Sequence, residues 1–156
     1  MKILFICTHN RCRSILSEAI TNHLGKDKFQ AFSAGSQPAG LVHPLTLKYL
    51  AEKGIPSDGL RSQSWDEFEV VQPDIVMTVC DSAAAEDCPL WFGNTLKIHW
   101  PLPDPSKSQG NDAEIREAFY SVMETIERRV RELLALNLHL LPKNEQRSAL
   151  ERLIHN

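Results

Sequence analysis

The chain carries little surplus charge. Lys and Arg number 17 against 20 Asp and Glu, a net charge of −3, and the basic residues form no stripe. That argues against nucleic acid as a partner. A long apolar run is also missing. The N-terminal one spans only about five residues, from Ile3 to Cys7, and no cleavage-type segment follows. It is too short for a membrane span or a signal peptide. No membrane is expected as a partner, and the cytoplasm is the expected location. Cysteines number four, at 7, 12, 80 and 88, without the paired Cys-x2-Cys spacing of a structural zinc site. In a reducing compartment they suggest catalytic or redox chemistry more than structural disulfides. Internal repeats and low-complexity tracts are absent. The 156 residues, 42% hydrophobic and 24% charged, suit one domain over 1–156, with a short helical extension at 140–156.

Strand, helix and turn signals alternate along the chain. Lys2–Cys7 reads as a buried strand. Ser14–Gly25 reads as a helix with Ile15, Leu16, Ala19, Ile20 and Leu24 on one face. A strand is expected at Phe29–Ser33, a helix at Pro44–Lys53, and strands at Asp74–Cys80 and Leu96–His99. The longest helix is expected at Asp112–Leu136, with Phe119, Val122, Met123, Ile126, Val130 and Leu133 among its apolar positions. A short terminal helix is expected at Asn144–Ile154. The alternation implies an α/β fold, a parallel sheet covered on both faces. Ligands of such sheets bind at the C-terminal strand ends, at a switch point. The Cys7 loop, the segment from Cys80 onward, and Trp100–Pro105 all fall at such ends.

The first of these carries the most information. Cys7-Thr8-His9-Asn10-Arg11-Cys12-Arg13-Ser14 joins a strand to a helix N-terminus. Backbone N–H groups of such a loop can point at a tetrahedral anion, and the helix dipole adds to their field. Arg13 can clamp two oxyanion oxygens with its planar fork. The same field is expected to favour the Cys7 thiolate, the nucleophilic form. Cys12 reads either as a small packed residue facing the helix or as an accessory redox thiol.

Cys80 ends a strand, as Cys7 does. If those strands are neighbours, their ends lie ~5 Å apart, within disulfide reach. Cys88 differs: were residues 80–88 fully helical, its Cα would lie about 12 Å from that of Cys80. A disulfide there would need the segment looped or unwound. Asp104, between two prolines, reads as a turn former or as a carboxyl held over the anion site to move a proton. His43, before Pro44, looks like a helix-start residue.

The run Ile3–Glu18 resembles the low-molecular-weight protein tyrosine phosphatase superfamily. With Cys80, Cys88 and Pro103-Asp104-Pro105 added, the chain is most similar to that superfamily's arsenate reductase branch. The resemblance implies a four-stranded parallel sheet of the flavodoxin-like kind. It implies Cys7 as nucleophile, Arg13 as oxyanion clamp, and Asn10 and Ser14 as loop-fixing and thiolate-stabilising residues. Asp104 would be the general acid, and Cys80 and Cys88 the resolving redox cysteines. Some members bind potassium beside the loop, and Asn10, Glu18 and Ser33 stand at matching places. The implied substrate is arsenate, and the implied reductant is an external thiol system, thioredoxin or glutathione with glutaredoxin.

Two enzymatic readings share this cradle, because arsenate and phosphate are both tetrahedral oxyanions. In the first, a cysteine relay reduces arsenate to arsenite. In the second, the protein is a low-molecular-weight tyrosine phosphatase or acts on small phosphate esters. A tyrosine pocket needs aromatic walls, which Asp104-Pro105-Ser106-Lys107-Ser108 does not offer, and a phosphatase needs no cysteine at 80 and 88. A non-enzymatic anion-sensing module is the third reading, and nothing that catalysis needs is missing.

Overall fold

The computed structural model describes residues 1–81 and 95–155. Four strands form one sheet: β1 (Lys2–Ile6), β2 (Gln30–Ala34), β3 (Ile75–Thr78) and β4 (Leu96–His99). Their order is β2-β1-β3-β4, and every pairing is parallel. Ile3, Leu4, Phe5 and Ile6 are all buried. Successive residues of a strand face opposite ways, so burial of all four means that both faces of the sheet are covered.

The helices follow the apolar spacing of the sequence. In α1 (Arg13–Gly25), Ile15, Leu16, Ala19 and Ile20 are buried. In α2 (Pro44–Glu52), Pro44 opens the first turn, and His43 Nδ1 accepts a hydrogen bond from the Leu45 N–H. In α3 (Asp112–Ala135), Asn111 and Glu114 form a capping box, and Phe119, Val122, Met123, Ile126, Val130 and Leu133 are buried. In α4 (Lys143–Arg152), Ala149 and Leu150 are buried. This last helix packs against β4, and the Leu150 carbonyl accepts from the Trp100 indole N–H. Among the described residues no helix is long and apolar enough to cross a membrane.

Strand order reverses at the β1–β3 pair. The chain leaves β1 to one side, towards β2, and returns on the other, to β3. Loops that leave the two strands at such a point diverge, and a crevice opens between them. Ile6 pairs with Thr78, and the Val79 N–H donates to the Ile6 carbonyl. Cys7 and Cys80 therefore leave adjacent strands at the same end of the sheet.

Gly35, directly after β2, lies under the Cys7 loop. A β-carbon there would sit 2.5 Å from the Thr8 carbonyl oxygen and 2.8 Å from that of Cys7. Both are backbone atoms and cannot swing aside. Gly35→Ala is expected to destabilise the protein by about 1–3 kcal/mol, the usual cost of overpacking, and to lower activity through the displaced loop. Chemical denaturation measures the first effect; a wild-type midpoint would show that the loop has slack.

Candidate active site

The loop between β1 and α1 is shaped by where its carbonyls go. Thr8 O accepts from the Gln37 N–H, His9 O from the Ala39 N–H, and Arg11 O from the His43 N–H, each at 2.9–3.0 Å. The Arg11 carbonyl also takes the Thr46 hydroxyl, and His9 O takes that of Ser62. A trans peptide unit is planar, so each C=O points opposite to the next N–H. Carbonyls drawn outwards at 8, 9 and 11 thus turn the N–H groups of His9, Asn10 and Cys12 inwards.

Asn10 locks this shape. Its φ is +46°, a left-handed conformation that asparagine tolerates better than most residues. The side chain is fully buried. Its Nδ2 donates to Ser14 Oγ, and its Oδ1 accepts from the Gln63 N–H, both at 2.8 Å. Asn10 and Ser14, to which the resemblance assigns the fixing of the loop, are hydrogen-bonded to each other beneath it. Gln63, Ser62 and Thr46 brace it too, from positions with no recognisable spacing to it.

Inside the loop lies a cavity of about 110 Å³, walled by residues 7–13 together with Cys80, Asp104 and Lys107. Among the described residues that line it, none is Phe, Tyr or Trp. Arg13 Nη1 donates to the Leu102 carbonyl at 3.1 Å, and Nη2 lies 3.6 Å from Asp104 Oδ2. Asp104 Oδ1 accepts from both the N–H and the hydroxyl of Ser106. Asp104 is thus a turn former and a cavity carboxylate at once. Lys107 adds a cation at the mouth that the sequence reading passed over. His9 bonds through Nδ1 to the Gln37 carbonyl, and His43 starts α2 as expected.

Cys7, Cys12 and Cys80 are all buried, and no disulfide joins them. The Cys7 and Cys80 thiols line the same cavity and interact closely enough to shift the Cys7 ionisation. Cys80 Sγ also lies 3.7 Å from Thr8 Oγ1. The interaction of the two thiols corrects the expected low pKa of Cys7. Cys80, then burial, hold the Cys7 thiol well above the ordinary cysteine range, and they outweigh Arg13 and the Thr8 N–H, which pull it down. Loop and helix favour a thiolate in this sequence pattern; the second thiol that opposes them comes from a residue 73 positions away and is invisible to local reading. Burial likewise pushes Cys12 up to about 11, against a lowering hydrogen bond with Thr46. Cys12 is a packed thiol just ahead of α1. Cys88, and with it residues 82–88 of the expected relay, lie outside the described residues.

Glu18, Ser33 and Asn10 form a polar patch behind the loop. Ser33 Oγ donates to Glu18 Oε1 at 2.5 Å. Burial lifts Glu18 from an ordinary 4.5 to about 7, and no positive side chain figures among the causes. Among the described residues no side-chain cation offsets this carboxyl, and its oxygen neighbours are of the kind that could hold a monovalent cation.

The comparisons with known proteins agree with this geometry. Residues 2–147 match the family model described as low molecular weight phosphotyrosine protein phosphatase. An arsenate reductase of Halalkalibacterium halodurans is 33% identical over 129 residues, 83% of this chain and 91% of that protein. A glutaredoxin arsenate reductase of Synechocystis is 29% identical over 86% of this chain and 96% of that one. Among solved structures, an arsenate reductase in the phosphate-binding state superposes with a TM-score of 0.70 at 29% identity, covering 86% of this chain and 96% of the other. The thioredoxin-dependent arsenate reductase of Corynebacterium glutamicum gives 0.65 at 27% identity, over 86% of this chain and 60% of that one.

Two measurements check the electrostatics. Cys80→Ala removes the largest cause that raises Cys7, so the pH midpoint of Cys7 alkylation should fall in that variant; an unmoved or higher midpoint would mean that burial alone sets it. Glu18 ionises in the unfolded chain near pH 4.5 but in the folded one near 7. Stability present below pH 4.5 is therefore lost between 4.5 and about 7, a penalty on the order of 3 kcal/mol at ~1.4 kcal/mol per unit. In potassium-free buffer Glu18→Gln should be more stable than wild type above pH 7 and lose that advantage near pH 4.5. Parallel stability curves would contradict this account.

Proposed function

Because the chain belongs to the low molecular weight phosphotyrosine protein phosphatase family, we propose that it uses its oxyanion cradle as an arsenate reductase, one domain over 1–156 working in the cytoplasm. The placement of the Cys7 and Cys80 thiols in one oxyanion-sized cavity, close enough to perturb each other's ionisation, carries the reading. Hydrolysis of a phosphate ester needs one nucleophile; two thiols in contact at the floor of an oxyanion pocket suit two-electron chemistry. Among the described lining residues no Phe, Tyr or Trp offers the wall that a tyrosine ring would need in the phosphatase alternative.

The loop N–H groups from Thr8 to Ser14 and the Arg13 fork bind arsenate. The Cys7 sulfur attacks arsenic, and an As–O bond breaks. The thiol proton and the oxygen leave together as water, with Asp104 as the shuttle. A protonated Cys7 balances this step: thiol plus hydrogen arsenate gives the thioarsenate ester and water. Cys80 then attacks Cys7 sulfur. The Cys7–As bond breaks with its electron pair on arsenic, which leaves as arsenite, and the two sulfurs form a disulfide. Cys88 attacks Cys80 in turn and passes the disulfide to an external thiol donor, thioredoxin or glutathione with glutaredoxin. Similarity to a thioredoxin-dependent and to a glutaredoxin arsenate reductase supports a donor of this class. Potassium held by Asn10, Glu18 and Ser33 belongs to the proposal as well; it would supply the charge that keeps Glu18 ionised behind the loop.

Arsenite formation is to be assayed with each thiol system supplied separately. Cys7→Ser is expected to lower it by about 1,000-fold or more, since a serine hydroxyl is a far weaker nucleophile than sulfur and cannot form the disulfide with Cys80. Cys80→Ser should stop turnover equally, yet spare whatever hydrolysis of p-nitrophenyl phosphate the wild type shows. Arsenite formation at the wild-type rate by either variant would refute the relay.

A further inference from the structure

Among the described residues Arg129 is the buried charged residue that the mechanism leaves unused. It lies on α3 with only 7% of its surface exposed. Its Nε is buried without a hydrogen-bond partner. Its guanidinium lies 5.7 Å from the centre of the Trp100 ring, and Nη1 donates to the Pro101 carbonyl at 3.2 Å. Burying a guanidinium this incompletely paired is costly, and an apolar side chain of similar length would sit there more cheaply. Stability alone therefore does not account for it.

What it touches does. Residues 100–104 run from the end of β4 to the cavity. On one side the Trp100 and Leu102 N–H groups donate to the carbonyls of Thr78 and Val79, just before Cys80. On the other side the Leu102 carbonyl and the Asp104 carboxylate hold Arg13. Pro101 and Pro103 have no N–H, so the segment has few backbone bonds with which to fix itself. The Pro101 carbonyl is the handle that Arg129 grips, one residue from the carbonyl that holds the oxyanion clamp.

We infer that Arg129 is a positioning residue: it pins the 100–104 segment from α3, so that Leu102 and Asp104 keep Arg13 aimed into the cavity. Its turnover test rests on the arsenate reductase reading, so a readout independent of turnover accompanies it. Arg129→Met keeps the length and removes the charge. Its melting temperature is expected to equal or exceed that of the wild type. Its kcat for arsenite formation should fall about tenfold, the scale of a small misplacement of reacting groups. The phosphate concentration that half-protects Cys7 from iodoacetamide should rise about fivefold, as a loosened Arg13 grips an anion less well. Arg129→Lys keeps a cation without the planar fork and should recover part of both losses; it carries the test alone if the Met variant does not fold. A wild type that forms no arsenite, beside an Arg129→Met variant with weakened phosphate protection, would sink the functional reading and support this one. Wild-type kcat and wild-type phosphate protection in a folded variant would overturn it. So would losses that appear only in proportion to a lowered melting temperature.

Discussion

The pairing of β1 with β3 is the constraint on which the site depends. Parallel strands lie ~5 Å apart, and the Ile6–Thr78 register brings both chains to the same level at the end of the sheet. Cys7 and Cys80 are the residues that emerge there. Strand pairing thus makes a long-range thiol contact between residues that share no local motif. That register sets Cys7 level with Val79 and Cys80 one residue further on, so the two thiols meet where both chains have already left the sheet.

That second thiol changes the chemistry of the first. Helix N-terminus, loop amides and Arg13 all favour an anion in the cavity, and by themselves they would make Cys7 a thiolate. The Cys80 thiol and burial reverse the balance. A thiol at Cys7 suits arsenate, whose departing oxygen must collect protons to leave as water. Cys12 lies close to the same field but takes no part in the Cys7–Cys80 pair; burial keeps it protonated. Three similar side chains within one small volume therefore play different parts, set by what each one touches.

Much of this was legible in the sequence. Apolar spacing located the strands and helices to within a residue or two, because each element buries a face or stripe whose period is visible locally. The lengths of the Cys7 loop and the site of Asp104 were readable for the same reason. The braces were not. Gln63 reaches Asn10, and Ser62 and Thr46 reach the loop carbonyls, across 35 or more positions of chain. Arg129 interrupts an apolar stripe and would pass for a surface residue beside Arg128. Gly35 looks like an ordinary turn glycine until the loop above it is in place. Such contacts come from tertiary packing, which a single sequence does not encode in any short-range pattern.

The central claim is that Cys7 and Cys80 act as a pair that delivers two electrons to a bound oxyanion. The most direct measurement is a single turnover: the reduced protein is mixed with one equivalent of arsenate and no external thiol, arsenite is counted, and the disulfide is mapped by peptide mass spectrometry. The account predicts about one arsenite per chain and a disulfide that contains Cys80, joined to Cys7 or, after the next exchange, to Cys88. A Cys7–Cys12 disulfide with Cys80 still a thiol, or no arsenite at all, would contradict it.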